Sequence, residues 1–318
     1  MTRSLAWADL AGEAFAAGLA AGHPHEVTMA AMAALDAPPS HVIAIGKAGA
    51  AMAQAVRDAD CNAPGIVVTH DEGFAEIDGM RCFASAHPVP DARGRDAASA
   101  LAEMAAGLGA EDHLLLLISG GGSALVPAPP DGVTLADKQA LNAALLASGM
   151  DIHAMNAVRR LFSRLKGGRL ARLAAPARIT QFLLSDVPGD RLESIASGPA
   201  VADPVALEQA MDLICDHRLD RLDFVAAMVA RIRAGTADLP LRDGDPALAR
   251  VDTRLLASND LCRAAVSARL AAALPAAQQI DLPPLAGDAA GLARGELPPS
   301  RASGAFERAR RFEDARVD

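Results

Sequence analysis

This sequence contains no tyrosine, one tryptophan and eight phenylalanines, 3% aromatics in 318 residues. Single-stranded nucleic acid is held by stacking bases on aromatic side chains, and this chain has few rings for such a surface. Positive charge is also in short supply: 30 Lys and Arg stand against 39 Asp and Glu, a net charge of −9. That balance argues against nucleic acid or an anionic membrane as partner. The four cysteines, Cys61, Cys82, Cys215 and Cys262, show no Cys-x-x-Cys and no His/Cys metal spacing, so free thiols in a reducing compartment are expected. No run approaches the roughly 18 apolar residues of a membrane span. Asp9 and Glu13 interrupt what would be the apolar stretch of an export signal. A cytoplasmic protein is expected.

What is abundant is apolar: 51% of residues, much of it alanine in helical runs, enough to bury a large core. Residues 4–36 are alanine-rich with a helical period broken at Gly22-His23-Pro24, which predicts two helices before the first strand. Strand-like runs at 42–45, 65–69, 81–86, 114–118, 178–184 and 254–257 then alternate with helical stretches at 48–56, 91–108, 135–146, 152–173 and 205–234. Leu114–Ile118 has no polar interruption, as a parallel strand covered on both faces requires. Asp91 and Ser258-Asn259-Asp260 stand where helix caps belong. The alternation predicts an α/β fold of three layers, a mostly parallel Rossmann-like sheet with helices on both faces.

Three loops follow strand-like runs, at the carboxyl edge where open α/β sheets bind ligands. Gly46-Lys47-Ala48-Gly49 is not a Walker A loop, because no glycine stands five residues before Gly46 and no Ser or Thr follows Lys47. It is not Gly-x-Gly-x-x-Gly either. A lysine at a helix N-terminus opposes the helix dipole; it is either a surface lysine or one with an anion beside it. Ser119-Gly120-Gly121-Gly122-Ser123 lets backbone N–H groups converge on a phosphate without Cβ obstruction, with the next helix adding its dipole. A strand–helix turn alone rarely needs three glycines. Ser185-Asp186-Val187-Pro188-Gly189-Asp190 sets two carboxylates around a Pro-Gly turn. They suit Mg2+ shared with phosphates, a base for a hydroxyl proton, or a cap and a loop hydrogen bond. His87 is read as bonded to loop backbone in preference to catalytic. Arg159, Arg160, Arg164, Lys166 and Arg169 would most often form a solvated helix face. However, Lys166-Gly167-Gly168-Arg169 ends or bends that helix, and its donors suit an anionic substrate.

Six motifs occur in one order: Gly46-Lys47-Ala48; His87-Pro88-Val89-Pro90-Asp91; Ser119-Gly120-Gly121-Gly122-Ser123-Ala124-Leu125; Asn156-Ala157-Val158-Arg159-Arg160 with Lys166-Gly167-Gly168-Arg169-Leu170-Ala171; Ser185–Asp190; and Ile195-Ala196-Ser197-Gly198-Pro199. Each alone is weak, but together, over residues 5–275, they resemble the glycerate 2-kinase family. The resemblance implies ATP- and Mg2+-dependent phosphorylation of D-glycerate at its 2-hydroxyl, in a cleft between an N-terminal domain, here 1–285, and a second domain called MOFRL. It makes Lys47, Asp186 and Asp190 the catalytic candidates, the two aspartates also holding the metal. Gly46, Ser119, Gly120, Gly121, Gly122 and Ser123 become the nucleotide and phosphate candidates. Asn156, Arg159, Lys166, Ser258 and Asn259 become the substrate candidates. The partner implied is a small hydroxy acid, with no nucleic acid and no membrane; a homo-oligomer is compatible.

Two departures set further expectations. Ala200 stands where the family has threonine after Ile195–Pro199. Residues 286–318 form a divergent Arg-rich tail, and the MOFRL signatures Gly-Gly-Arg-Asn and Gly-Thr-Asp-Gly do not occur. On that reading one wall of the cleft is missing, activity is impaired, and residues 298–318 pack poorly. An uncovered apolar wall would then favour self-association or low solubility. The alternatives are a non-catalytic nucleotide- or glycerate-binding remnant, and a hydroxypyruvate reductase. Some members of the family carry the reductase label, but no dinucleotide fingerprint follows any strand here.

Overall fold

Six strands make one sheet: β1 (His41–Ile45), β2 (Gly65–His70), β3 (Met80–Ser85), β4 (His113–Ile118), β5 (Arg178–Leu184) and β6 (Val251–Ala257). Their order is β3-β2-β1-β4-β5-β6, and every neighbouring pair is parallel. This is the doubly wound order that reverses beside β1. The computed structural model describes residues 7–275, so the divergent tail and the expected packing of 298–318 lie outside the described residues. By internal contacts the chain divides into two units. Phe15–Ala265 carries the sheet. Of the other, formed by Met1–Ala14 and Val266–Asp318, residues 7–14 and 266–275 are described, and there Arg269 pairs with Glu13.

Helices follow the predicted alternation: α1 (Trp7–Ala21), α2 (Pro24–Ala33), α3 (Gly49–Asp58), α4 (Ala92–Ala106), α5 (Gly122–Leu125), α6 (Leu135–Ala147), α7 (Ile152–Leu161), α8 (Arg169–Ala174), α9 (Leu207–Asp216), α10 (Asp223–Arg233) and α11 (Asn259–Ala273). Side chains alternate across the sheet. Leu114, Leu116 and Ile118 join Ile43, Ile45 and Val68 in a core with Ala97 and Leu101 of α4 and Leu170 of α8. Leu115 and Leu117 join Val42, Ala44 and Val67 in a second core with Met52, Ala53 and Val56 of α3. Both faces of β4 are therefore dry, as its unbroken apolar run predicted. A third core, away from the sheet, is helical and centres on Leu145, Val158, Phe162, Ile214 and Val225.

Three expectations are corrected. The strand expected at 254–257 begins at Val251, because Val251–Thr253 pair with Ile179–Gln181; Asp252 and Arg254 hide this in the sequence, on a strand paired along one side only. The helical stretch 152–173 is two helices separated by a loop. Ser163 Oγ accepts from the N–H groups of Leu165 and Lys166, both at 3.3 Å, and Gly168 takes φ 79° before α8. Nor, apart from the exposed Arg164, is the basic cluster a solvated face. Arg160, Lys166 and Arg169 are 1–3% exposed. Arg169 donates to the carbonyls of Arg160 (2.9 Å) and Lys166 (3.1 Å), closing the loop on itself. Arg160 meets Asp203 at 2.8 Å, with both side chains buried.

A buried pair of this kind is strongly destabilised when one partner is removed, because the other charge is left unpaired. Asp203→Asn is expected to cost roughly 3–5 kcal/mol in a urea unfolding titration. Asp131→Asn, which removes the exposed partner 3.9 Å from Arg164, is expected to leave the midpoint unchanged.

Candidate active site

Because β1 and β4 are neighbours, the loops that follow them meet. The Lys47 N–H donates to the Gly120 carbonyl at 2.9 Å, and the Ala48 N–H to Ser119 Oγ at 3.0 Å. A Cβ on Gly46 would run into Ser119, so the two loops touch backbone to backbone. Gly46 and Ser119 thus join the loops to each other. Gly121 has φ 83°, and a methyl group there would stand 3.1 Å from Lys47 Cγ and 3.3 Å from His87 Cδ2. A methyl group on Gly120 would collide with the Asp186 carboxylate. The fifth-strand loop therefore delivers Asp186 directly onto the glycine loop.

Lys47, His87 and Asp186 are all exposed at this edge, open to a ligand from solution. His87, expected to bond loop backbone, makes no hydrogen bond among the described residues and lies against Gly121 instead. Burial of the ring, then the charges of Lys47 and His70, hold its pKa below 6.5, with Asp186 and Glu72 partly opposing. The helix after the glycine loop, α5, is four residues long, so it adds little of the dipole expected of a full helix.

The remaining candidates fall into four places. Ser123 Oγ accepts from the Lys166 ammonium at 2.7 Å and bonds Ser197 Oγ at 2.9 Å. Ser197 belongs to the Ile195–Pro199 segment, whose carbonyls at Ser197 and Gly198 accept from Gly167 and Gly168 at 3.1 and 2.8 Å. The Lys-Gly-Gly-Arg and Ile-Ala-Ser-Gly-Pro motifs are one hydrogen-bonded unit beside the glycine loop. Arg159 donates to Asn156 Oδ1 at 3.2 Å and to Asn142. Ser258 is buried and caps α11 through the Leu261 N–H at 3.3 Å, while Asn259 is exposed. Asp190 has φ 51° and closes its turn by an N–H to the Val187 carbonyl at 3.1 Å; no described contact joins its carboxylate to Gly120, Lys47 or His87.

Among the described residues no three of His, Cys, Asp and Glu gather closely enough to cage a metal. One exposed carboxylate against a phosphate-type loop fits Mg2+, which commonly takes one or two carboxylates and completes its shell with phosphate oxygens and water. The sequence understated His87 and omitted Asn142. His87 was legible as the first residue of His87–Asp91, but the contact that places it is with Gly121, far along the chain. Asn142 was readable as four residues after Lys138 on one helix face.

A parallel sheet in the 3-2-1-4-5-6 order, with a lysine, a triglycine and an acidic turn at the carboxyl edge of its strands, defines a doubly wound α/β protein. The family described as a domain of unknown function, DUF4147, matches residues 10–231. The chain belongs to that family, which forms the N-terminal domain of glycerate kinases. A D-glycerate 2-kinase of Thermotoga maritima is 39% identical over 189 residues, 58% of this chain and 45% of that protein. An Agrobacterium vitis protein provisionally named a hydroxypyruvate reductase is 46% identical over 180 residues, 56% of this chain and 47% of the other. The crystal structure of a Thermotoga maritima glycerate kinase superposes with a TM-score of 0.75 at 30% identity, covering 83% of this chain and 62% of that one. The chain spans about half the length of the curated relatives it matches. Among the described residues no helix is long and apolar enough to cross a membrane.

His87 reports on the cluster. Its folded pKa lies below the unfolded value, so the unfolded chain binds the extra proton and stability falls as pH drops below 6.5. In a histidine NMR titration its midpoint is expected below 6.5, rising in Lys47→Met and falling further in Asp186→Asn. Unmoved midpoints in both variants would separate His87 from this cluster.

Proposed function

We propose that this chain is a glycerate 2-kinase of the cytoplasm, transferring the terminal phosphoryl group of ATP to the 2-hydroxyl of D-glycerate with Mg2+. The observation that carries the reading is the meeting of Lys47, His87 and the Asp186 carboxylate around Gly120 and Gly121, at the ligand edge of a parallel sheet. Phosphoryl transfer is largely positioning plus stabilisation of charge on the transferring group. In this reading Lys47 supplies the cation nearest that group. Gly120–Gly122 and Ser123 receive the nucleotide phosphates, on a loop braced by Gly46 and Ser119. Asp186 holds the metal, and Asp190 either shares it or accepts the hydroxyl proton. Arg159 and Lys166 bind the acid, with Asn156 holding Arg159; no described contact brings Ser258 and Asn259, at the start of α11, to them. Mg2+, when bound, neutralises phosphate charge and orients it. Relatives named glycerate kinases support the reading over the part they share with this chain.

A second reading comes from the reductase name of the Agrobacterium relative. The strand order suits a dinucleotide, but read from Gly46 the loop after β1 has Ala48 and Ala51 where the fingerprint needs its later glycines.

A coupled ADP-release assay with D-glycerate and Mg2+ tests the proposal. D-Glycerate-dependent ADP release is expected, and Lys47→Ala is expected to lower kcat by roughly 10²–10³, the usual effect of removing one preorganised charge donor. Turnover of Lys47→Ala within a few-fold of wild type would remove the reaction from this edge. Binding of ATP and D-glycerate without transfer would favour a binding module, and NADH oxidation by hydroxypyruvate the reductase.

A further inference from the structure

Between Ser123-Ala124, α6 and α7 lies a cavity of about 240 Å3 that gathers Lys138, Arg159 and Lys166. Three cations line one small space, and the carboxylates nearby are already engaged. Asp203 pairs with Arg160 at 2.8 Å, Asp238 with Arg169 at 3.2 Å, and Asp131 stands 3.9 Å from Arg164. Among the described residues no carboxylate lies within ion-pair distance of Lys138, Arg159 or Lys166. Lys166 is buried, and Lys138 and Arg159 are half-buried; charge withdrawn from water normally comes with a partner, because desolvation otherwise penalises it.

The hydrogen-bond count also leaves donors over. The Lys166 ammonium donates to the Ser123 carbonyl at 2.8 Å and to its Oγ at 2.7 Å, and the Lys138 ammonium to the Phe162 carbonyl at 2.8 Å. Each ammonium has three N–H groups, so one and two remain. Burial first, then repulsion from Arg159 and Arg169, pulls Lys138 down to about 8. Burial and the neighbouring cations, Lys138 first, pull Lys166 well below the lysine range. An arriving anion would relieve both costs.

The cavity's size and walls narrow the anion. It is smaller than the roughly 300–1,000 Å3 of common drug-sized pockets, too small for a nucleotide. Pro88, Pro90, Leu141 and Leu146 give it apolar walls for a short carbon skeleton. Pro88 adjoins His87, and Ser123 follows Gly121 by two residues, so the cavity opens beside the Lys47 cluster. We propose that this cavity is the carboxylate pocket of the site, taking the acid end of a small hydroxy acid, with Lys138 and Asn142 as binding residues beside Arg159 and Lys166. The identity of that acid as glycerate rests on the kinase reading; the preference for an anion rests on the cations, and that for a short carbon skeleton on the apolar walls.

The test is calorimetry on the full chain with D-glycerate, glycerol, inorganic phosphate and ADP, run beside the ADP-release assay. Wild type is expected to bind D-glycerate and not the uncharged glycerol. Lys138→Met should weaken D-glycerate binding roughly tenfold or more, as loss of a charge-assisted contact does, with ADP binding unchanged. Lys138→Arg should stay within a few-fold of wild type. Should Lys138→Met fail to fold by circular dichroism, Asn142→Leu is expected to give the same selective loss. D-Glycerate affinity unchanged in a folded Lys138→Met, or no D-glycerate binding by wild type, overturns the pocket. So does inorganic phosphate taking the site more tightly than D-glycerate and losing that affinity in Lys138→Met. Selective loss of D-glycerate binding without any ADP release by wild type would sink the kinase reading and leave the pocket. Turnover with an unmoved KM for D-glycerate in Lys138→Met would do the reverse.

Discussion

The structure around the ligand edge depends on the absence of three Cβ atoms. Gly120 faces the Asp186 carboxylate, Gly121 faces Lys47 and His87, and Gly122 faces Ala196 and Ile45, where a methyl group would stand 2.8 and 3.1 Å away. Each glycine is the contact point for a different segment, so the loop after β4 fixes the spacing of everything delivered by the loops after β1, β3 and β5. A backbone hydrogen bond from the Lys47 N–H to the Gly120 carbonyl, and one from the Ala48 N–H to Ser119 Oγ, make the first two loops one piece. A substituent at any of the three would have to move a charged group or core side chains, and the edge would lose its geometry while the sheet stayed intact.

Charge buried away from the sheet does the corresponding work for the helical part of the molecule. Arg169 satisfies loop carbonyls that a continuous helix would have bonded itself, and Arg160 with Asp203 anchors the same loop. Lys166, held in the loop, reaches back to Ser123. Lys166 and the Ser123–Ser197 bond thereby couple the glycine loop to the loop between α7 and α8. What remains after these pairings is a surplus of positive charge around one cavity, set in a protein that is acidic as a whole. Local sign, not net charge, decides what anion can enter.

Much of the architecture was legible in the chain because it follows from short-range rules. Unbroken apolar runs such as Leu114–Ile118 could only be satisfied by a strand covered on both faces, and their alternation with helical periods required a parallel sheet. Asp91 and Ser258 cap the helices where their side-chain chemistry put them. The loops that could bear chemistry were legible for the same reason: glycines, a lysine and aspartates gathered after strands seldom serve packing alone. β6 was read short because its polar residues obscure a pairing that exists only through β5.

The sequence by itself determined the fold class, the sheet edge at which the lysine, glycine and acidic loops gather and the residue types present there, since these depend on periodicity and on local backbone chemistry. Only the tertiary structure decided which of those residues meet. It brought His87 onto Gly121 and Asp186 onto Gly120, left Asp190 in its own turn, and buried Arg160, Lys166 and Arg169 where a helical period suggested an exposed face. It also showed Lys138, Arg159 and Lys166 to be without acidic partners among the described residues. Charge pairing and desolvation are properties of neighbours in space, and no spacing along the chain encodes them.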